Sequence, residues 1–363
     1  MEMTDKKALV AMSGGVDSSV AAYLLKQDGY SLIGAMMKLY SGDEAEQSRG
    51  CCGIDDANDA RAVAAALDIP FYVFNFTEIF KEEVIGRFVW SYESGETPNP
   101  CIDCNRFLKF GRFIHRAWEL DIKYVATGHY ARIEKDISGR YLLKKGIDTS
   151  KDQSYVLFAM TQEELAHTLF PLGKLRKEEA RSIAAKQGFV NADKRDSQDI
   201  CFAPDKNYAR FIKEYTGKEY ETGSFISLDG KILGKHKGLI HYTIGQRKGL
   251  GVSSHSPLFV SKLTPTNNTI TLVESEKLMS KHLTAREINL IPFANLNGKI
   301  KCKAKIRYAH APADATIWQT GDDCLRVEFE MPQRAITPGQ AVVFYDGDVV
   351  IGGGIIDGNN PFC

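Results

Sequence analysis

The sequence has no net charge, with 46 Lys+Arg set against 46 Asp+Glu over 363 residues. It has no apolar run approaching the roughly 20 residues that span a bilayer, and the stretch Ala8 to Met12 is far too short for a signal-peptide core. Bias toward Gly, Pro or polar repeats is absent too, since 44% of residues are hydrophobic and 25% charged, which excludes disorder and collagen-like chains. Two nucleotide fingerprints are missing: GxxxxGK[ST], with its phosphate-binding lysine, and GxGxxG, the dinucleotide loop. These absences leave a soluble, cytoplasmic protein of two or three domains as the expectation. In that compartment the eight Cys are core thiols, metal ligands or catalytic thiols rather than a disulfide framework.

The zero charge conceals an uneven distribution. Residues 231–310 hold 14 Lys/Arg and only three acids, Glu274, Glu276 and Glu287, so the remainder is acidic by the same margin of eleven. Such a chain can hold a polyanion on one part. Within that stretch, Lys299-Ile-Lys-Cys-Lys-Ala-Lys-Ile-Arg307 alternates strictly. A strand there places Ile300, Cys302, Ala304 and Ile306 on one face and five cations on the other, a row suited to a phosphate backbone.

The first 130 residues alternate strand and helix patterns. Strands are predicted at Ala8–Met12, Ser31–Leu39, Phe71–Phe76 and Tyr124–Ile133, and helices at 17–27, 55–67, 78–92 and 104–118. This pattern predicts an α/β fold with a doubly wound parallel sheet. After residue 205 short β-rich runs divided by Gly, Asp-Gly and Thr-Pro turns predict two small, mainly β domains, the last a barrel. The expected domains are 1–205, 206–281 and 282–363.

Between the first strand and first helix stands Ala11-Met-Ser-Gly-Gly-Val-Asp-Ser-Ser19. In an open parallel sheet this is where ligands bind. Gly14 and Gly15 let backbone amides approach an anion, Ser13, Ser18 and Ser19 add hydroxyls, and the helix presents its positive end. SGGVDSS resembles the pyrophosphate loop of the PP-loop enzymes, which split ATP at the α-phosphorus. Asp17 is the natural carboxylate to place Mg²⁺ on the pyrophosphate.

Two cysteine settings follow. In Thr97-Pro-Asn-Pro-Cys-Ile-Asp-Cys104 the second thiol is expected at a helix start, where amides and dipole favour thiolate. The other is Ser197-Gln-Asp-Ile-Cys201-Phe202.

Together with Gly34–Lys38, Ala126-Thr-Gly-His-Tyr-Ala131, Lys151-Asp-Gln-Ser-Tyr155, Gly245-Gln-Arg-Lys-Gly249, Lys305-Ile-Arg-Tyr308 and Thr337-Pro-Gly-Gln340, these motifs resemble, in order along the chain, the bacterial tRNA-specific 2-thiouridylases. The resemblance implies that Ala11, Met12, Ser13, Gly14, Gly15, Val16, Asp17 and Ser18 bind ATP, with Met37 and Gly128 contacting the nucleotide. It implies Cys104 as nucleophile and Cys201 as carrier of a persulfide. Asn99, Pro100 and Cys101 would border the target base. His129, Lys151, Asp152, Gln153, Arg307, Tyr308 and Gln340 would contact tRNA at its anticodon. Some members have Asp at the position of Cys101, and whether Asp103, a water or Cys101 replaces it stays open.

The activity so implied is replacement of the wobble uridine's C2 oxygen by sulfur, using ATP, Mg²⁺ and a sulfur-donor protein such as a cysteine desulfurase or a relay protein. A PP-loop ligase acting on a small molecule is the alternative, and it leaves the cysteine settings and the basic β half without a role. A metal or iron–sulfur site on Cys51, Cys52, Cys101, Cys104 and Cys201 is not favoured, because adjacent Cys51 and Cys52 suit tetrahedral ligation poorly.

Overall fold

The computed structural model describes residues 6–39, 53–196, 200–203 and 205–358. Cys51, Cys52 and the Ser197–Asp199 part of the second cysteine motif lie outside them. The chain divides into two compact units. One comprises Met1–Val84, Cys101–Lys206 and Gly347–Val350; the other comprises Ile85–Pro100, Asn207–Asp346 and Ile351–Cys363.

The first unit is built on a five-stranded parallel sheet of β1 (Lys7–Ala11), β2 (Ser31–Lys38), β3 (Phe71–Asn75), β4 (Tyr124–Ala126) and β7 (Thr168–Leu169). Their order is β3-β2-β1-β4-β7. The central strand β1 is covered on both faces, with Ala8, Leu9 and Val10 fully buried, which is why it reads as an unbroken apolar run. Helix α1 (Val16–Gln27) buries Val16, Val20, Ala21 and Leu25 at helical spacing, with Asp17 in its first turn and Lys26 in its last, each complementing the helix dipole. Helix α2 (Ile54–Ala66) contributes Ala60, Val63 and Ala64 to the same core.

Sequence and structure part at three places here. The predicted strand Tyr124–Ile133 is two: β4 ends at Ala126, and Ala131–Lys135 (β5) opens an antiparallel hairpin with Tyr141–Lys145 (β6). The chain breaks where Gly128 must pass against another backbone. The predicted helix at 104–118 starts earlier, at Pro100, and its middle, Cys104–Arg112, is π-wound. Helix α3 (Lys177–Lys186) has no counterpart in the sequence pattern; its buried face is only Lys177, Ala180 and Ala184, too small to stand out as an apolar stripe.

The second unit contains two β structures. β8 (Gly223–Ile226), β9 (Ile232–His236), β10 (Phe259–Thr264) and β11 (Thr269–Val273) form a sheet ordered β10-β11-β8-β9 around Phe225, Val260 and Ile270. β12 (Met279–Leu290), β13 (Ile300–Lys305), β14 (Ala313–Gly321), β15 (Cys324–Arg334), β16 (Ala341–Asp346) and β17 (Val349–Asp357) run β12-β15-β14-β13-β16-β17, and β12 also pairs with β17. That pairing closes a six-stranded barrel filled by Ile317, Leu325, Val327, Phe329 and Phe344. β12 escaped sequence reading because its polar residues interrupt the apolar alternation.

The alternating strand is β13. Lys301 and Lys303 are exposed and Ala304 is buried, as the pattern requires. Cys302 faces inward, and burial pushes its thiol up to about 12, so it is a packing residue.

Candidate active site

The loop after β1 sits at the topological switch point, because β1 pairs with β2 on one side and β4 on the other. Gly14 has φ +73°, and a Cβ there would stand 2.2 Å from the Asp56 carbonyl oxygen, so glycine is required twice over. Gly15 is the N-cap of α1 and supplies no side-chain cap, which leaves the first-turn amides aimed at an incoming anion. Gly128, just past β4, lies on this turn: a Cβ would stand 2.7 Å from the Asp17 carbonyl carbon and 2.8 Å from the Ser18 nitrogen.

The serine hydroxyls shape the loop. Ser18 Oγ and Ser19 Oγ each donate to the Gly15 carbonyl at 3.0 Å, and Ser18 Oγ accepts from the Ser13 amide at 3.2 Å. Asn191, buried, donates at 2.9 Å to both the Gly14 carbonyl and Ser19 Oγ. Lys194 reaches the Gly14 carbonyl at 3.3 Å and pairs with Asp56 and Asp59, each at 2.6 Å. Ser13 remains exposed, and Met37 lies half-buried on β2.

Asp17 is engaged by protein groups. Lys177 Nζ lies 2.8 Å from both of its carboxylate oxygens, and the Tyr130 hydroxyl donates to Oδ1 at 2.8 Å. Burial and the Asp17 carboxylate hold the Tyr130 phenol protonated. Lys177 also pairs with Asp196 at 2.7 Å, and Lys151 (2.8 Å) and Arg181 (3.0 Å) bind the same Asp196. Burial alone would raise the Asp196 pKa; the lysines reverse that and bring it down to about 2. One ion network therefore joins the glycine loop, the Lys151 motif and Asp196, five positions before Cys201. Sequence reading found Asp17 and Lys151 but missed Lys177, Asn191 and Lys194, because isolated lysines and an asparagine carry no motif.

This arrangement does not fit a magnesium ion held by Asp17, whose two oxygens already bind Lys177 and Tyr130. Among the described residues no group of three or more His, Cys, Asp or Glu could hold a metal.

The structure places Cys101 exposed and Cys104 half-buried, one helical turn past the start at Pro100 rather than at the helix start itself. The segment that begins there is π-wound, a rare winding that is frequent at functional sites. Beside it, buried Asn105 donates to the Val156 carbonyl at 3.0 Å. Cys201 is half-buried, and Phe202 after it packs edge-on against Phe80 at 6.0 Å.

The residues implied for tRNA have varied settings. His129 is buried, its Nδ1 2.7 Å from Thr127 Oγ1 and its ring against Phe110 and Phe170. Burial, then the charge of Lys109, pushes its pKa well below the usual histidine value. Gln153 Oε1 accepts from the Tyr130 amide, and Asp152 accepts from the Gly146 and Ser154 amides. In the second unit Arg307 donates to the Ala335 carbonyl at 3.0 Å and to Thr337 Oγ1 at 2.5 Å, whereas Tyr308 is exposed with Lys305 over its ring. Gln340 Nε2 donates to the Thr97 carbonyl at 2.7 Å. Asn99 is half-buried and Pro100 buried.

Three family models match in succession: the tRNA methyl transferase HUP domain over residues 6–205, the PRC-barrel domain over 209–274 and the aminomethyltransferase beta-barrel domain over 280–356. The chain is 52% identical over 355 residues to a tRNA-specific 2-thiouridylase MnmA of Clostridioides difficile, covering 97% of this chain and 98% of that one. It is 48% identical over 354 residues to the namesake of Lachnoclostridium phytofermentans, covering 97% and 99%. With the one of Acetivibrio thermocellus it shares 49% over 358 residues, covering 98% and 100%. Likeness of this degree along nearly the whole length, on a parallel-sheet domain followed by small β domains, settles the family: the chain belongs to the tRNA-specific 2-thiouridylases.

Proposed function

We propose that the protein adenylates the C2 oxygen of the wobble uridine in tRNA and replaces it with sulfur from a cysteine persulfide, giving 2-thiouridine, AMP and pyrophosphate. The observation that carries this is the anion cradle of the Gly14–Ser18 turn in a chain that also holds the two cysteine motifs and is about half identical to enzymes of that name.

The chemistry explains the parts. A uracil C2 carbonyl is a poor electrophile, and its oxygen leaves readily only as AMP. The first-turn amides of α1 receive the phosphates of ATP and stabilise the charge that grows on departing pyrophosphate. Magnesium enters with the nucleotide, and no protein ligand is assigned to it. Cys201 carries the outer sulfur as Cys201–S–SH. The Cys104 thiolate attacks the inner, Cys201-bound sulfur and forms a Cys104–Cys201 disulfide. The sulfur–sulfur bond of the persulfide breaks, hydrosulfide leaves with its electron pair, and it adds to C2 as AMP departs. A donor protein of the desulfurase or relay type reloads Cys201 after the disulfide is reduced.

Asn99, Pro100 and Cys101 border the uridine, which must be turned out of the anticodon stack. Exposed Tyr308 supplies a stacking face, and Lys151, Lys301 and Lys303 meet RNA phosphates. Within the first unit Asp152 and Gln153 brace the chain on either side of Lys151 and His129 packs against Phe110 and Phe170; within the second, Arg307 and Gln340 brace the segments at Ala335 and Thr97. The place of work is the cytoplasm, where the tRNA substrate is found. No helix among the described residues is long and apolar enough to cross a membrane.

Mass spectrometry of tRNA nucleosides after incubation with ATP, Mg²⁺ and a persulfide donor tests this reading. Wild type should yield 2-thiouridine; Cys104→Ser and Cys201→Ser should yield none. ATP–pyrophosphate exchange that depends on a small carboxylate instead of tRNA would favour the ligase.

A further inference from the structure

The segment before the first cysteine motif belongs to the second unit and is strapped there by side chains and backbone. Glu96, only 7% exposed, accepts from one guanidinium nitrogen of Arg286 with both carboxylate oxygens, at 2.9 Å each. Arg286 continues to Glu287 at 3.5 Å, and Glu287 binds Arg87 at 3.0 Å. The next residue, Thr97, donates its amide to the Pro338 carbonyl at 2.9 Å, receives Gln340 Nε2 on its own carbonyl at 2.7 Å and donates its hydroxyl to Thr243 at 3.3 Å. Gly339, at φ +85°, packs so closely that a Cβ would stand 2.9 Å from Glu96 Cβ and from the Thr97 nitrogen.

A buried ion pair is a weak source of stability, because desolvation of both charges offsets their attraction; its use is to fix one geometry against alternatives. Four independent contacts on two consecutive residues define the position and direction of the chain as it enters Pro98-Asn99-Pro100. Two prolines in three residues then leave little freedom to lose that definition.

We propose that Glu96 and Arg286, together with Gln340, are positioning residues for the thiolation reaction. They fix where the barrel-borne segment Thr97–Pro100 presents Asn99 and Pro100 to the target uridine. The barrel thus does more than grip RNA: β12, through Arg286, and the Pro338–Gln340 turn aim the base-contacting segment. Gln340 acts on the substrate through the Thr97 carbonyl. This rests on the functional reading above, since it needs a base at Asn99 and Pro100.

The test compares Glu96→Gln, Gln340→Ala and the charge exchange Glu96→Arg/Arg286→Glu with wild type in the full chain. Each is assayed for single-turnover thiolation at saturating ATP and tRNA, for tRNA Kd, and for amide hydrogen exchange at Thr97. The expected result is a loss of ten-fold or more in rate for Glu96→Gln, Kd within about two-fold, faster exchange at Thr97, and partial recovery in the charge exchange. Gln340→Ala, which removes no buried charge, should show the same split in milder form and guards against misfolding. Faster Thr97 exchange with an undiminished rate, or a loss confined to Kd, would overturn the proposal. Wild type that thiolates no tRNA would sink the functional reading, and this proposal with it; variants that match an active wild type would sink this proposal alone.

Discussion

Lys177 Nζ stands 2.8 Å from both carboxylate oxygens of Asp17 and 2.7 Å from Asp196, with its side chain only 10% exposed. A single ammonium therefore links the nucleotide loop to the chain leading into the Cys201 motif. Lys177→Met should leave two acids without their shared cation and cost about 1–3 kcal/mol in unfolding free energy. It should also lower kcat/KM for thiolation by at least ten-fold, measured by nucleoside mass spectrometry. A variant as stable and active as wild type would show the network to be incidental.

Gly128→Ala should push the first turn of α1, because the new Cβ meets the Asp17 carbonyl carbon at 2.7 Å with backbone on both sides. Overpacking of this kind costs about 1–3 kcal/mol. ATP affinity, measured by titration calorimetry, should fall by ten-fold or more, and affinity equal to wild type would contradict the close approach.

His129 gives a pH dependence with a definite sign. Its folded pKa is depressed by burial, so below the unfolded value of about 6.5 the unfolded chain takes up a proton that the folded chain does not. Its contribution is present above about pH 6.5 and is lost as the pH falls below it. Denaturant unfolding of wild type between pH 7.5 and 5 should show this decline, and His129→Phe, whose ring suits the Phe110 and Phe170 surroundings, should flatten it. Parallel curves for the two proteins would contradict a neutral buried ring.

Charge reversal at Lys301, Lys303 and Lys305 should weaken tRNA binding and reduce the slope of log Kd against log salt by about 0.7 to 0.9 for each RNA phosphate that is no longer neutralised. Lys303 already pairs with exposed Asp314 at 2.8 Å and Lys305 lies over Tyr308, so Lys301 should dominate the change. An unaltered slope would remove β13 from the RNA surface.

Much of this was legible in the sequence for physical reasons. β1 is buried on both faces and β13 on one, so unbroken and alternating apolarity reported them correctly; SGGVDSS marked its turn because Gly14 alone fits against Asp56. What the sequence hid came from tertiary packing. The break between Ala126 and Ala131 is imposed by the Gly128 approach, and the π winding after Cys104 has no periodic signature. Asp17 read as a magnesium ligand because its cation, Lys177, lies 160 positions away. Gln340 is expected from the resemblance to contact RNA; that its amide also holds the Thr97 carbonyl has no signal in the sequence.

The most direct test of the sulfur-delivery scheme is a single turnover with enzyme loaded with persulfide on Cys201, followed by peptide mapping of thiols and quantification of tRNA nucleosides in the same sample. With ATP and tRNA present and no other sulfur source, 2-thiouridine and a Cys104–Cys201 disulfide should appear in equal amounts. Thionucleoside formed while Cys104 stays reduced, or formed by Cys104→Ser, would contradict it.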